Sequence, residues 1–218
     1  MVNGRILVDP SPTVLPHLRR CGLRPGDLDA IVVSHFHADH TFGWPFLLLE
    51  LLRSGRRAPV FVVGPARTDA YFAAMMDLAG VPGIQKAAHE VLDIRYIEVD
   101  GSWQIAGPHR IRAVEVEHVP ELRCFGFVLD ANGQRIGYSG DTRPCAGLDD
   151  IAANCDVLVL ECNGAHPPPQ THMLVEDVKA LRERFPSPRF VLTHVGPGVD
   201  AVHIENCVVA ADFEVMLV

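Results

Sequence analysis

No two cysteines of this chain stand at Cys-x-x-Cys spacing. Cys21, Cys124, Cys145, Cys155, Cys162 and Cys207 are scattered singly, which argues against a cysteine zinc site or a dithiol redox motif. Positive charge is scarce as well: 19 Lys and Arg stand against 27 Asp and Glu, a formal net charge of −8. Proteins that grip long nucleic acid carry a basic stripe, because phosphate contacts dominate that affinity. The one cluster here, Arg53-Ser54-Gly55-Arg56-Arg57, reads as a solvated helix end favoured by the macrodipole. Long apolar runs are missing too. The most apolar segment, Phe46 to Leu52, is far too short to span a bilayer and contains Glu50. Met1-Val2-Asn3-Gly4-Arg5 lacks the apolar stretch of a signal peptide. No repeat of fixed short period occurs, and the one low-complexity tract is Pro167-Pro168-Pro169. Nothing in the composition marks a linker, and 48% of the 218 residues are hydrophobic. The expectation is one globular domain over residues 1–218, cytoplasmic and without a membrane segment.

What is present is a dense run of metal ligands. His35, His37, Asp39 and His40 fall inside Ser34-His35-Phe36-His37-Ala38-Asp39-His40. An apolar run, Ala30 to Val33, precedes them as a buried strand, and a helix begins after Trp44-Pro45. Side chains at i and i+2 of an extended segment share a face, so His35 and His37 can converge on one point. Asp39 and His40 are adjacent and need a turn to reach a second point nearby. That pattern suggests two metals side by side.

Along the rest of the chain, strands are expected at 5–9, 30–34 and 59–63, with helices at 13–20, 45–53 and 68–79. From Ile94 the pattern becomes alternating, and 94–99, 103–106 and 110–118 read as an antiparallel series. Segments 124–129 and 134–138 form a hairpin around Asp130-Ala131-Asn132-Gly133. Strand–loop–helix steps follow, with strands at 137–139, 157–160 and 189–193 and helices at 148–153 and 174–185. Strands at 208–210 and 213–217 close the chain. Helices and strands in this order suggest two sheets packed face to face with helices outside. His118, Asp141 and His194 each stand where a strand gives way to a loop. Ligands gathered at one edge of a sheet sandwich suit a two-metal hydrolytic site. His17, His89, His109, His166 and His203 lie outside this pattern and are taken as surface or loop residues.

These motifs resemble the metallo-β-lactamase superfamily from the first strand to the last. The residues that carry the likeness are His35-Phe36-His37-Ala38-Asp39-His40, His118, Ser139-Gly140-Asp141-Thr142 and Leu192-Thr193-His194. The resemblance implies an α/β (α+β) fold, an αββα sandwich of two mixed β-sheets with helices on the outer faces. It implies a binuclear site, with His35, His37 and His118 on one metal, Asp39, His40 and His194 on the other, and Asp141 bridging. The cofactors would be two divalent ions, zinc first, with manganese or iron as alternatives. Within the superfamily the chain most resembles the ribonuclease Z-like and cyclic-phosphate phosphodiesterase branch. Gly64-Pro65, Tyr138-Ser139-Gly140-Asp141-Thr142-Arg143-Pro144 and Glu161 ahead of His172 support that.

The branch pattern makes His172 a proton donor or phosphate ligand, while the plain alternative is a cap for the helix near Leu174. Asp39 and His172 are thus the candidate catalytic residues. Asp9 and Glu161 are candidate partners for the histidines that hold the metals. In ribonuclease Z proper a long basic arm lies between the third histidine and the bridging aspartate. Here residues 119–140, 22 in all, separate His118 from Asp141, and they already form a hairpin. The family's usual N-terminal hairpin is expected to be lacking, and a homodimer that covers the open edge would follow. The expected activity is phosphodiester hydrolysis of a small molecule or short nucleotide by a water shared between the metals. A lactonase or thioester hydrolase is the alternative, and transfer RNA 3′ processing is disfavoured. A flavin-coupled di-iron reductase and a non-catalytic metal-binding module complete the alternatives.

Overall fold

Ile6–Val8 forms strand β1, and Val14–Arg20 forms helix α1. The computed structural model describes residues 1–131, 133–165, 171–199 and 203–216. They fall into two units, Met1–Asp100 with Gln104–His109, and Gly101–Trp103 with Arg110–Val218.

In the first unit, β2 (Ala30–Val32) leads through residues 33–37 to the single turn α2 (Ala38–Thr41), then α3 (Trp44–Arg53). Next come β3 (Val60–Gly64), α4 (Thr68–Leu78), α5 (Ile84–Val91) and β4 (Ile94–Glu98). The four strands pair in the order β1-β2-β3-β4, every pair parallel. Parallel strands buried on both faces read as unbroken apolar runs, and Ala30, Ile31, Val32 and Val33 are all fully buried. Trp44, Leu47, Leu48 and Leu51 make the i, i+3, i+4, i+7 stripe of α3. That stripe packs with Phe72 and Met76 of α4 on Ile31, Val60 and Val62. The Trp44 ring stacks on Phe72 with centroids 4.2 Å apart. Burying each such side chain contributes roughly 1.5–3 kcal/mol. Gly43 admits no side chain: a Cβ there would lie 2.0 Å from the Ser11 carbonyl oxygen. Its amide donates to the Pro10 carbonyl at 2.8 Å, which seats the start of α3 on the turn after Asp9.

β5 (Trp103–Ala106) falls across the division between units. The second unit is built on β6 (His109–Val116), β7 (Cys124–Ala131), β8 (Gln134–Tyr138), α6 (Ala146–Ala153), β9 (Val157–Glu161), α7 (Val175–Arg184), β10 (Arg189–Thr193) and β11 (Cys207–Val209). Its strands run in the order β11-β10-β9-β8-β7-β6. β6, β7 and β8 are antiparallel neighbours, and β8 through β11 are parallel. The register sets Tyr138 opposite Val159 and Thr193 opposite Glu161. The C-terminal ends of β9 and β10 therefore finish level, with β8 stopping two residues short of them, and such ends are the usual place for chemistry on parallel strands. The core joins Leu148 and Ile151 of α6 and Val178 and Leu181 of α7 to Leu158, Leu160, Phe190 and Leu192.

Four local expectations are corrected. β4 does not open an antiparallel series; it lies parallel to β3, with α4 and α5 providing the crossover that parallel pairing needs. Only the larger sheet therefore mixes strand directions. Arg56 is not solvated: it donates to the carbonyls of Ala58 and Gly26 at 2.7 and 2.8 Å, and its side chain is 6% exposed. His109 lies on a strand, with Nε2 3.3 Å from Asp29 Oδ2. No strand spans Phe213–Met216. Asn132, His166, Pro167-Pro168-Pro169 and Leu217 lie outside the described residues. Among the described residues, no helix is long and apolar enough to cross a membrane.

Candidate functional site

In the first unit the ligand run leaves β2 and makes the turn it needs. Residues 33–37 lie outside helix and strand, His37 closing them with an extended backbone at φ −67° and ψ 152°, and α2 then turns the chain. His35 and His37 meet edge to face with ring centroids 4.7 Å apart, and His35 and His40 stand 4.2 Å apart. Asp39 Oδ2 lies 3.4 Å from His40 Nε2, on a side chain that is 60% exposed.

Asp9 organises this group. It follows β1 with a left-handed backbone, φ 50°, and so turns its carboxylate back beside the loop. Oδ1 accepts the Ser34 amide at 2.7 Å, and Oδ2 accepts the Ser34 hydroxyl at 2.8 Å. Oδ2 also receives His40 Nδ1 at 2.8 Å. Because Ser34 gives its hydroxyl proton to Asp9, its oxygen accepts from His35 Nδ1 at 2.9 Å. Both imidazoles thus carry their proton on Nδ1 and their lone pair on Nε2. Ser34 was not singled out in the sequence, although a hydroxyl directly before the first histidine was visible there.

In the second unit the strand ends deliver the rest. His118 follows β6, Asp141 follows β8, Glu161 ends β9, and His194 follows β10 at φ 49°. Asp141 is 2% exposed. Its Oδ2 lies 3.9 Å from His118 Nε2, 3.6 Å from His194 Nε2 and 3.9 Å from His172 Nδ1. These separations are too long for hydrogen bonds. They approach the roughly 3.4 Å between two ligands of one tetrahedral ion with bonds near 2.1 Å. His118 Nδ1 donates to the Thr171 carbonyl at 2.8 Å, which again places the lone pair on Nε2. Glu161, His172 and His194 also gather closely enough to hold an ion.

His172 Nδ1 lies 2.8 Å from Glu161 Oε1, which accepts the Thr142 amide at 2.8 Å as well. Burial holds the Glu161 carboxyl above its usual range, against the pull of those two hydrogen bonds. Asp177 takes the Leu174 amide at the start of α7, so His172 does not cap that helix. Asn163, two residues past Glu161, was missed in the sequence. Its side-chain Nδ2 lies 2.9 Å from His194 Nδ1. Gly196 packs so closely on Asn163 that a Cβ would fall 1.7 Å from its carbonyl oxygen. Burial pushes Cys124 and Cys162 up to about 11 and Cys155 up to about 12, so none offers a thiolate near neutrality.

If Nε2 of His35 holds a metal, Ser34→Ala cuts the link that orients it. Metal affinity is expected to fall roughly 10–100-fold. The metal-free chain should lose about 1 kcal/mol. Chelator competition and denaturant unfolding measure the two, and unchanged affinity would take Ser34 out of this role.

A family model described as a beta-lactamase superfamily domain matches residues 4–195. Ribonuclease Z of Mycobacterium bovis (strain BCG / Pasteur 1173P2) is 26% identical over 163 residues, covering 70% of this chain and 58% of that protein. The chain thus spans less than two thirds of that relative's length. A solved structure of a diphosphatase from the PhnP family superposes with a TM-score of 0.75 at 19% identity, over 97% of this chain and 79% of the other. Human tRNase Z, short form, superposes with a TM-score of 0.73 at 20% identity, over 100% of this chain and 90% of the other.

Proposed function

The chain belongs to the beta-lactamase superfamily, and from that premise we propose that it is a binuclear metal-dependent phosphodiesterase. One metal would be held by His35, His37 and His118, the other by Asp39, His40 and His194, with Asp141 shared. The observation that carries this reading is the protonation pattern. His35, His40 and His118 each engage Nδ1 with an oxygen of the protein, at Ser34, Asp9 and Thr171, and so present Nε2 as a ligand. A donor set of imidazoles and carboxylates suits zinc, with manganese or iron as alternatives. When bound, two such ions acidify a water and neutralise charge on phosphoryl oxygens.

The chain's own groups do the rest. Asp39 is the accessible carboxylate beside His40, placed to accept a proton from the attacking water at Oδ2. Glu161 holds His172 by Nδ1, leaving Nε2 to protonate the departing alkoxide. That acid favours phosphodiester over thioester substrates, whose thiolate leaving group needs less help. The relatives named as a ribonuclease and a diphosphatase point the same way. Residues 119–140 are occupied largely by β7 and β8, which favours a small molecule or short nucleotide as substrate.

The test is hydrolysis of bis-p-nitrophenyl phosphate beside a simple lactone and a thioester, with metal content measured on the same sample. Phosphodiester turnover at two metals per chain is expected. Lactone or thioester turnover alone would replace the phosphodiesterase reading with carbonyl hydrolysis.

A further inference from the structure

We propose that Tyr71 is a positioning residue for His37, acting through the backbone of the ligand loop; this rests on the metal-binding reading above. Past Val33 the loop pairs with no strand; the His37 carbonyl takes the His40 amide at 3.2 Å, and the carbonyls on either side of the His37 backbone are held further by side chains. Two hydroxyls do this. Tyr71 donates its phenolic proton to the Phe36 carbonyl at 2.9 Å. Thr41 donates its hydroxyl proton to the His37 carbonyl at 2.8 Å. The two oxygens touch each other at 3.1 Å. The peptide units before and after the His37 Cα are thereby pinned, which fixes the direction in which its imidazole leaves the chain.

The aromatic ring adds a second constraint. Tyr71 stacks on Phe36 with centroids 4.3 Å apart and planes 12° from parallel, so the loop is gripped by a face and by an oxygen. Tyr71 comes from α4, whose Phe72 and Met76 are anchored in the core of the unit. The loop is therefore referenced to the helix layer and not only to its own strand. The same ring lines an apolar groove of about 720 Å³ with Phe42, Phe46, Met75 and Leu78. Tyr71→Phe leaves that wall and the stacking in place and removes only the hydroxyl.

The experiment compares the unaltered chain with Tyr71→Phe by chelator competition for Zn2+, by the visible spectrum of the Co2+-loaded protein, and by melting of the metal-free protein. A loss of Zn2+ affinity of roughly tenfold or more, with an altered Co2+ spectrum and a metal-free melting temperature lowered by no more than the loss of one hydrogen bond explains, is the expected result. Unchanged affinity and spectrum in Tyr71→Phe would overturn the proposal alone. A lowered affinity with an unaltered Co2+ spectrum would also overturn it, since the hydroxyl would then be serving the fold and not the placement of His37. An unaltered chain that binds no metal would overturn both this proposal and the reading beneath it.

Discussion

Asp141→Ala is expected to remove hydrolysis of every substrate, to below about one thousandth of the unaltered rate. The argument starts from placement. Asp141 is buried on the loop after β8, and three imidazole nitrogens from His118, His172 and His194 stand 3.6–3.9 Å from its Oδ2. In the proposed reading this carboxylate would be held in common by both metals and would help to retain them. Losing it removes several kcal/mol of charge stabilisation, and each 1.4 kcal/mol is tenfold in rate. Metal content should fall below two per chain in the same sample. The metal-free protein should melt no lower than the unaltered one, because burying a carboxylate is itself costly. Full activity in this variant would sink the phosphodiesterase and the carbonyl hydrolase readings together.

For His172→Ala the expected loss depends on the leaving group. With Nδ1 held on Glu161 Oε1, the only ring atom left to carry a proton to substrate is Nε2. General acid catalysis contributes about 10²–10⁴-fold where the departing oxygen is a poor leaving group. A dinucleotide or alkyl phosphodiester should therefore slow by that factor. Bis-p-nitrophenyl phosphate releases a stable phenolate without help and should slow by less than about tenfold. Measuring kcat on both substrates separates the roles. Equal losses on the two would assign His172 to binding and remove it as the acid.

Much of this was legible because it is local. An apolar run that stops abruptly at a histidine or aspartate marks a strand end, and β2, β8 and β10 announce His35, Asp141 and His194 in that way. β5 and β10 have the bounds their alternation and apolar content suggest. α5 was overlooked because it is weakly apolar overall and its buried residues, Gln85 and Ala88, put no large apolar side chain into the core. Without that helix the crossover was invisible, and β4 was given the wrong direction. Arg56 was misjudged for a related reason: its acceptors are carbonyls of Gly26, Ala58 and Pro59, which every residue type possesses. Contacts such as Tyr71 to Phe36, 35 residues apart, repeat with no period and leave no pattern to read.

The left-handed backbone at Asp9 and His194 bears on how the chain could be re-engineered. A left-handed residue other than glycine costs up to about 1–2 kcal/mol, somewhat less for aspartate. A design procedure rewarding thermal stability alone would be drawn to glycine at both positions. At 194 it would be repaid in melting temperature, and at both it would delete a group that the proposed chemistry requires. These two dihedral angles mark where robustness and activity pull apart, and any stabilised variant of this chain should keep both side chains while gaining its margin elsewhere.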